Sequence, residues 1–202
     1  MTTIILVRHG HIEGISPARF RGRADLVLTA EGRRQAHATA RRIQASWTPA
    51  ALYSSPLSRC RATAEAIART VGLSPDPLED LIDIDYGEWQ GLTPDEVRTR
   101  WPDELETWYR TPDWASIPGG ETLQGVLSRI TKTLRHVIAR HPRDTVVLVG
   151  HDSVNRVILL HALQLPLSRY WRLGQDPSAI NELDFSEAGF TVRSLNETQH
   201  LK

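Results

Sequence analysis

Two stretches decide the fold: Thr3-Ile4-Ile5-Leu6-Val7-Arg8-His9-Gly10 near the start, and Thr145-Val146-Val147-Leu148-Val149-Gly150-His151-Asp152 much later. Each is a short apolar run, rich in β-branched residues, that stops at polar residues including a histidine. A run that is apolar without alternation reads as a strand buried on both faces, as in a parallel sheet covered by helices. In open α/β sheets the ligand crevice lies outside the carboxyl ends of the strands. Two such strands in one sheet would bring His9 and His151 to the same edge.

The intervening sequence supports this reading. A polar stretch carries Arg19, Arg21 and Arg23; Thr29 then caps a helix, with Glu31 in its first turn and Ala36, Ala40 and Ile43 at helical spacing. Ala51 to Ser55 reads as another short strand, ended by Pro56. Ser58 opens a helix through Ile67 that Gly72 closes. Leu123, Val126, Leu127, Ile130, Leu134, Val137 and Ile138 form a helical stripe ended by Pro142. A helix from about Val154 to Leu163 follows, then strands Ala179 to Phe185 and Phe190 to Leu195 around Glu187-Ala188-Gly189. The alternation predicts an α/β protein: a three-layer α/β/α sandwich around a mostly parallel sheet. One domain would span residues 1–202.

The chain has 202 residues and no net charge, with 24 basic and 24 acidic side chains. That balance speaks against a nucleic-acid partner and against a disordered acidic tail. It is unevenly built: residues 1–70 carry a net +7, residues 71–121 a net −10 and residues 122–202 a net +3. Of the basic residues 22 are Arg, the side chain suited to bidentate anion recognition; only Lys132 and Lys202 are Lys. The acidic middle holds Trp89, Trp101, Trp108 and Trp114, read as packing residues, and the capping box Thr93-Pro94-Asp95-Glu96. It reads as a small cap insertion at about 86–121. Cys60, the lone cysteine, excludes an internal disulfide and fits a reducing, cytoplasmic setting as a buried small residue. The first apolar run is too short for a signal segment or a membrane span.

At the predicted sheet edge, His9 and His151 would be joined by Arg8 and by Arg59, which follows Ser54-Ser55. Arginine forks fix phosphate oxygens, and a neutral imidazole attacks phosphorus if its other nitrogen keeps a proton held by a carbonyl. A leaving alkoxide then needs a carboxylic acid.

The order of motifs resembles the histidine phosphatase superfamily, the phosphoglycerate-mutase-like proteins. The resemblance rests on Leu6-Val7-Arg8-His9-Gly10; Arg19-Phe20-Arg21-Gly22 with Asp25, Leu28-Thr29 and Gly32; Ser54-Ser55-Pro56-Leu57-Ser58-Arg59 with Thr63-Ala64; Leu81 to Gly91; Gly120-Glu121-Thr122; and Val149-Gly150-His151. It implies a phosphoric monoester hydrolase of the histidine acid phosphatase type, acting on a small phosphate ester through a phosphohistidine, without cofactor or metal. His9 would be the nucleophile. Arg8, Arg59 and His151 would complete the phosphate pocket, with Arg21, Gly22 and His11 as further substrate contacts. Asp83 stands where the family has a glutamate proton donor, and Glu88 and Asp85 are the fallback donors. Asp152 replaces a glycine, either to start a helix or to orient His151. Ile15 stands where an asparagine touches phosphate. The alternatives are a mutase with the same chemistry, a metallohydrolase built on His9-x-His11 and His151-Asp152, and a non-catalytic phosphate-binding module.

Overall fold

A computed structural model describes residues 1–202. Six strands form one sheet: β1 (Thr2–Arg8), β2 (Ala51–Ser54), β3 (Pro75–Pro77), β4 (Thr145–Gly150), β5 (Ile180–Ser186) and β6 (Gly189–Glu197), in the order β3-β2-β4-β1-β5-β6. β3, β2, β4 and β1 run parallel, and β5 and β6 add an antiparallel edge. The helices are α1 (Ala30–Ser46), α2 (Ser58–Val71), α3 (Pro94–Arg100), α4 (Pro102–Arg110), α5 (Leu123–Arg140) and α6 (Asp152–Ala162). The mostly parallel α/β architecture is the one the strand and helix order predicts.

β1 and β4 pair directly, in the register Val7↔Val149 and Arg8↔Gly150. The apolar residues of both strands are fully buried because helices cover both faces. Ile5, Val7, Val147 and Val149 pack with Ala40, Ile43, Cys60, Ala64 and Ile67 of α1 and α2. Ile4, Leu6, Val146 and Leu148 point the other way, onto Val126, Ile130, Val137, Val154 and Ile158 of α5 and α6. Each such side chain contributes about 1.5–3 kcal/mol by leaving water, so the sheet edge is anchored on both sides.

The helix ends follow the local chemistry. Thr29 Oγ1 accepts from Gly32 N, and Thr122 Oγ1 accepts from Gly125 N. Gly72 closes α2 in the left-handed conformation, φ 74°. α2 has no side-chain cap of its own. The Asp25 carboxylate, from the preceding loop, accepts from Ser58 N at 2.7 Å and Ser58 Oγ at 2.8 Å. α6 starts at Asp152, two residues earlier than the periodicity suggests, because Asp152 binds Arg156 Nε at 2.8 Å one turn on.

Residues 86–121 hold α3 and α4. Their buried side chains, Trp89, Val97, Leu105 and Trp108, join the core cluster on the α5–α6 face. The segment leaves and returns at one point, since Glu121 N donates to Asp85 O at 2.8 Å. Trp89 and Trp108 are the packing residues expected, whereas Trp114 is 80% exposed. Two elements have no counterpart in the sequence reading: β3, which contains two prolines, and α4, whose turns begin directly after Trp101 ends α3. No helix is long and apolar enough to cross a membrane.

Candidate active site

The sheet register sets the site. His9 leaves β1 and His151 leaves β4 side by side, with ring centroids 5.3 Å apart and the rings at 63°. His9 N donates to Gly150 O at 3.0 Å, tying the two strand ends together. Arg8, His9, Arg59, Asp83 and His151 are all buried. Buried charge and imidazole in one place calls for an explanation beyond packing.

His9 Nδ1 lies 2.7 Å from Gly10 O. A carbonyl only accepts, so Nδ1 carries the proton and Nε2 keeps its lone pair. Burial, and then the Arg59 and Arg8 guanidinium groups, hold the His9 pKa well below the usual imidazole value. His9 is therefore neutral, with Nε2 nucleophilic. Gly10 is required here: a Cβ on it would meet Gly32 O at 2.4 Å, so only glycine lets the strand end reach the start of α1.

His151 takes the opposite tautomer. Arg59 Nε, which only donates, lies 3.2 Å from His151 Nδ1; His151 Nε2 therefore donates to Ser55 Oγ at 2.7 Å. Cys60 Sγ lies 3.4 Å from the same nitrogen. Burial and Arg59 lower the His151 pKa. Arg59 is held on four sides: besides His151, it donates to Ala24 O and Gly22 O, each at 2.7 Å, and to Asp83 Oδ2 at 3.2 Å. Gly22 sits at φ 47°, where a Cβ would meet Ile84 O at 3.0 Å. Arg8 donates through Nη1 to Gln175 O, while its Nε is buried without a partner.

Asp83 is the carboxylate at the site. Oδ1 accepts from Ile84 N at 3.0 Å, and Oδ2 faces Arg59 and, at 3.6 Å, His151 Nδ1. Burial raises its pKa and outweighs the opposing pull of Arg59. A lone pair on His151 Nδ1 facing Oδ2 acts in the same direction, favouring a protonated carboxyl. The two other carboxylates considered lie elsewhere. Glu88 is exposed and has no ion pair, and Asp85 pairs with Arg23 at 3.3 Å.

Arg21 donates to Gly14 O at 2.6 Å and lines a cavity of about 340 Å³ with Glu13, Gly14, Ser16, Arg19 and others. His11 turns toward α1, with Nδ1 3.0 Å from Thr29 Oγ1. The His9-x-His11 pair therefore does not converge, and no group of three or more His, Cys, Asp or Glu side chains is placed to share a metal. Asp152 binds Arg156 rather than His151, which settles it as a helix-start residue.

Sequence reasoning missed the support beneath Arg8. Gln175 Nε2 donates to Asn181 Oδ1 at 2.8 Å, and Asn181 Nδ2 donates to Leu6 O at 3.1 Å. This buried chain fixes the carbonyl that holds Arg8. A signal existed. β5 runs antiparallel to β1, with Val7 opposite Ile180, so its beginning lies at the carboxyl edge of the parallel strands. The polar run Gly174-Gln175-Asp176 thus had to arrive at the site.

Comparison with known proteins agrees with this geometry. The histidine phosphatase superfamily (branch 1) matches residues 4–198. Phosphoserine phosphatase 1 of Hydrogenobacter thermophilus is 32% identical over 201 residues, 100% of this chain and 95% of that protein. The structure of Bacillus stearothermophilus YhfR superposes with a TM-score of 0.94 at 26% identity, covering 100% of both chains. A phosphoserine phosphatase mutant from Entamoeba histolytica, solved in complex with phosphoserine, gives 0.89 at 25% identity, again over 100% of both. With two histidines and two arginines gathered at the strand ends and the match running almost end to end, the chain belongs to the histidine phosphatase superfamily.

Proposed function

We propose that the protein is a cofactor-independent phosphomonoesterase of the histidine acid phosphatase type, acting on a small phosphate ester through a phosphohistidine. One observation carries the reading: the His9 Nδ1 bond to Gly10 O at 2.7 Å, which leaves Nε2 free among Arg8, Arg59 and a carboxyl of raised pKa.

The His9 Nε2 lone pair attacks phosphorus in line. The N–P bond forms as the P–O bond to the leaving group breaks, and Asp83 gives its proton to the departing oxygen. Water then attacks phosphorus, passing its proton to Asp83, and the electron pair of the N–P bond returns to His9. Arg8 and Arg59 offset charge on the equatorial oxygens, with the unpartnered Arg8 Nε as the free donor. His151 positions Arg59 and adds to the pocket wall. Gly22 supports Arg59 through its carbonyl. Residues 86–121 act as a cap on the α5–α6 side of the sheet. The free, buried thiol of Cys60 supports a cytoplasmic setting. The acidic surface of residues 71–121 supports a small-molecule rather than nucleic-acid partner.

A panel of phosphate esters tests this. Phosphate release from p-nitrophenyl phosphate, unchanged by EDTA and abolished in His9→Ala, supports it. Isomerisation of 3-phosphoglycerate with a bisphosphoglycerate primer, faster than phosphate release, would assign a mutase. Phosphate binding without turnover of any ester would assign a binding module.

A further inference from the structure

The Gly120-Glu121-Thr122 motif takes no part in the steps above, yet its glutamate is tied to the segment that carries Asp83. Glu121 and Arg129 form a bidentate pair: Arg129 Nε donates to Oε1 at 2.8 Å, and Nη2 donates to Oε2 at 3.0 Å. Both side chains are largely buried, Arg129 13% and Glu121 16% exposed. The attraction within a buried pair is offset by the cost of taking both charges out of water. Stability alone is therefore a weak reason to keep one here.

The other bonds of the pair supply a reason. Arg129 Nη1 donates to Asp80 O at 2.5 Å and to Ile82 O at 2.7 Å, and Ile82 immediately precedes Asp83. On the far side of Asp83, Asp85 N donates to Glu121 Oε2 at 3.4 Å and Glu121 N donates to Asp85 O at 2.8 Å. Arg23 links the two: it donates to Glu121 Oε2 at 3.5 Å and, through Nε, to Asp83 O at 3.4 Å. Residues 82–86 belong to no helix or strand, so no backbone ladder fixes Asp83. The Glu121–Arg129 pair grips the chain on both sides of it instead. The grip has a firm base. Thr122 caps α5 directly after Glu121, Arg129 lies two turns along the same helix, and its neighbours Val126 and Ile130 are in the core. An aspartyl carboxyl reaches one methylene less far than a glutamyl one, so the backbone decides where its proton is delivered. Misplacing a reacting group by about 1 Å costs on the order of 10²-fold in rate.

From this we infer that Glu121 and Arg129 are positioning residues for the proton donor. They form a clamp at the start of α5 that sets where the Asp83 carboxyl stands, and they act on the reaction only through it. This rests on the phosphatase reading, with Asp83 as the acid, and deepens it.

The test is a double-mutant cycle read on two leaving groups. Arg129→Lys keeps the charge, but an ammonium offers three hydrogens where the guanidinium fork makes four bonds. kcat/KM is measured for β-glycerophosphate, whose alkoxide needs a proton, and for p-nitrophenyl phosphate, whose phenolate does not. The variants are Arg129→Lys, Asp83→Asn and the two combined, each assayed below its own unfolding midpoint. Arg129→Lys should lower kcat/KM for β-glycerophosphate roughly 10- to 100-fold and that for p-nitrophenyl phosphate far less. In the Asp83→Asn background the same substitution should cost no further activity, because the group it positions no longer carries a proton. Glu121→Gln, which keeps the shape of the pair and removes one charge, gives the same reading by a second route if Arg129→Lys does not fold. Equal losses for both esters, or a loss that persists undiminished beside Asp83→Asn, would overturn the inference, since the pair would then serve the fold as a whole. Failure of the phosphatase reading looks different: the wild type then turns over neither ester. Failure of the acid assignment is distinct again: Asp83→Asn itself then shows no dependence on the leaving group.

Discussion

Replacing Asp83 by Asn tests the division of labour at the site. Asn keeps one oxygen, enough to accept from Ile84 N, while its amide nitrogen takes the place of the Oδ2 that faces Arg59, so a circular-dichroism spectrum like that of the wild type is the folding control. What it removes is the proton. General acid catalysis contributes about 10²–10⁴-fold, or roughly 3–5 kcal/mol of barrier at 1.36 kcal/mol per decade. The structure predicts the full loss. Glu88 is exposed and Asp85 is held by Arg23, so neither carboxyl substitutes. The loss must depend on the leaving group. An alkoxide needs the proton, whereas p-nitrophenolate departs without one. kcat/KM is the quantity to read, since it reports the steps through departure of the alcohol and not the later hydrolysis of phosphohistidine. An alkyl phosphate such as phosphoserine should lose on the order of 10²–10⁴-fold in kcat/KM, and p-nitrophenyl phosphate far less. The pH profile follows with its sign. Attack needs His9 neutral, so activity rises with pH through the lowered His9 pKa; donation needs Asp83 protonated, so it falls through the raised Asp83 pKa. Asp83→Asn should flatten the falling limb. Equal losses for both ester types, or an unchanged falling limb, would refute the assignment of Asp83 as the acid.

Three further outcomes are expected. Because His9 and His151 are buried with lowered pKa values, the unfolded chain takes up protons that the folded one refuses; stability should be full above about pH 6.5 and fall as pH drops toward the lowered values, and urea unfolding of His151→Phe should show a shallower acid dependence. Gly10→Ala should destabilise by about 1–3 kcal/mol through overpacking against Gly32 O and displace the carbonyl that holds His9 Nδ1, so kcat should fall even at temperatures where the variant stays folded. Trp108→Ala should destabilise by about 3–5 kcal/mol in thermal or denaturant unfolding, because Trp108 is 1% exposed and packs on Trp89, Tyr86, Tyr170 and Trp171.

The parts of the structure legible in the sequence are those where one local signal decides. The apolar runs before His9 and His151 lie between two helical layers, which bury them on both faces. The Thr29, Thr93 and Gly72 helix ends are fixed by a single side chain or a single φ. What escaped depends on contacts across the chain. α2 is capped by Asp25, which lies 33 residues away from Ser58. β3 forms at an edge, where prolines are tolerated beside β2. The polar chain through Gln175 and Asn181 meets Arg8 only because β5 runs antiparallel beside β1. The tautomers of His9 and His151 likewise depend on a carbonyl and a guanidinium, neither of which a spacing pattern reveals.

The most direct test of the central claim is to trap the phosphoenzyme. The protein is mixed with a substrate ester, quenched at alkaline pH, where phosphohistidine survives, and mapped by mass spectrometry. Phosphate on the His9 Nε2 position, appearing within one turnover and absent from a His9→Ala control, is the predicted result. Phosphate on Ser55, Cys60 or His151, or turnover with inversion at phosphorus and no phosphoenzyme, would contradict it.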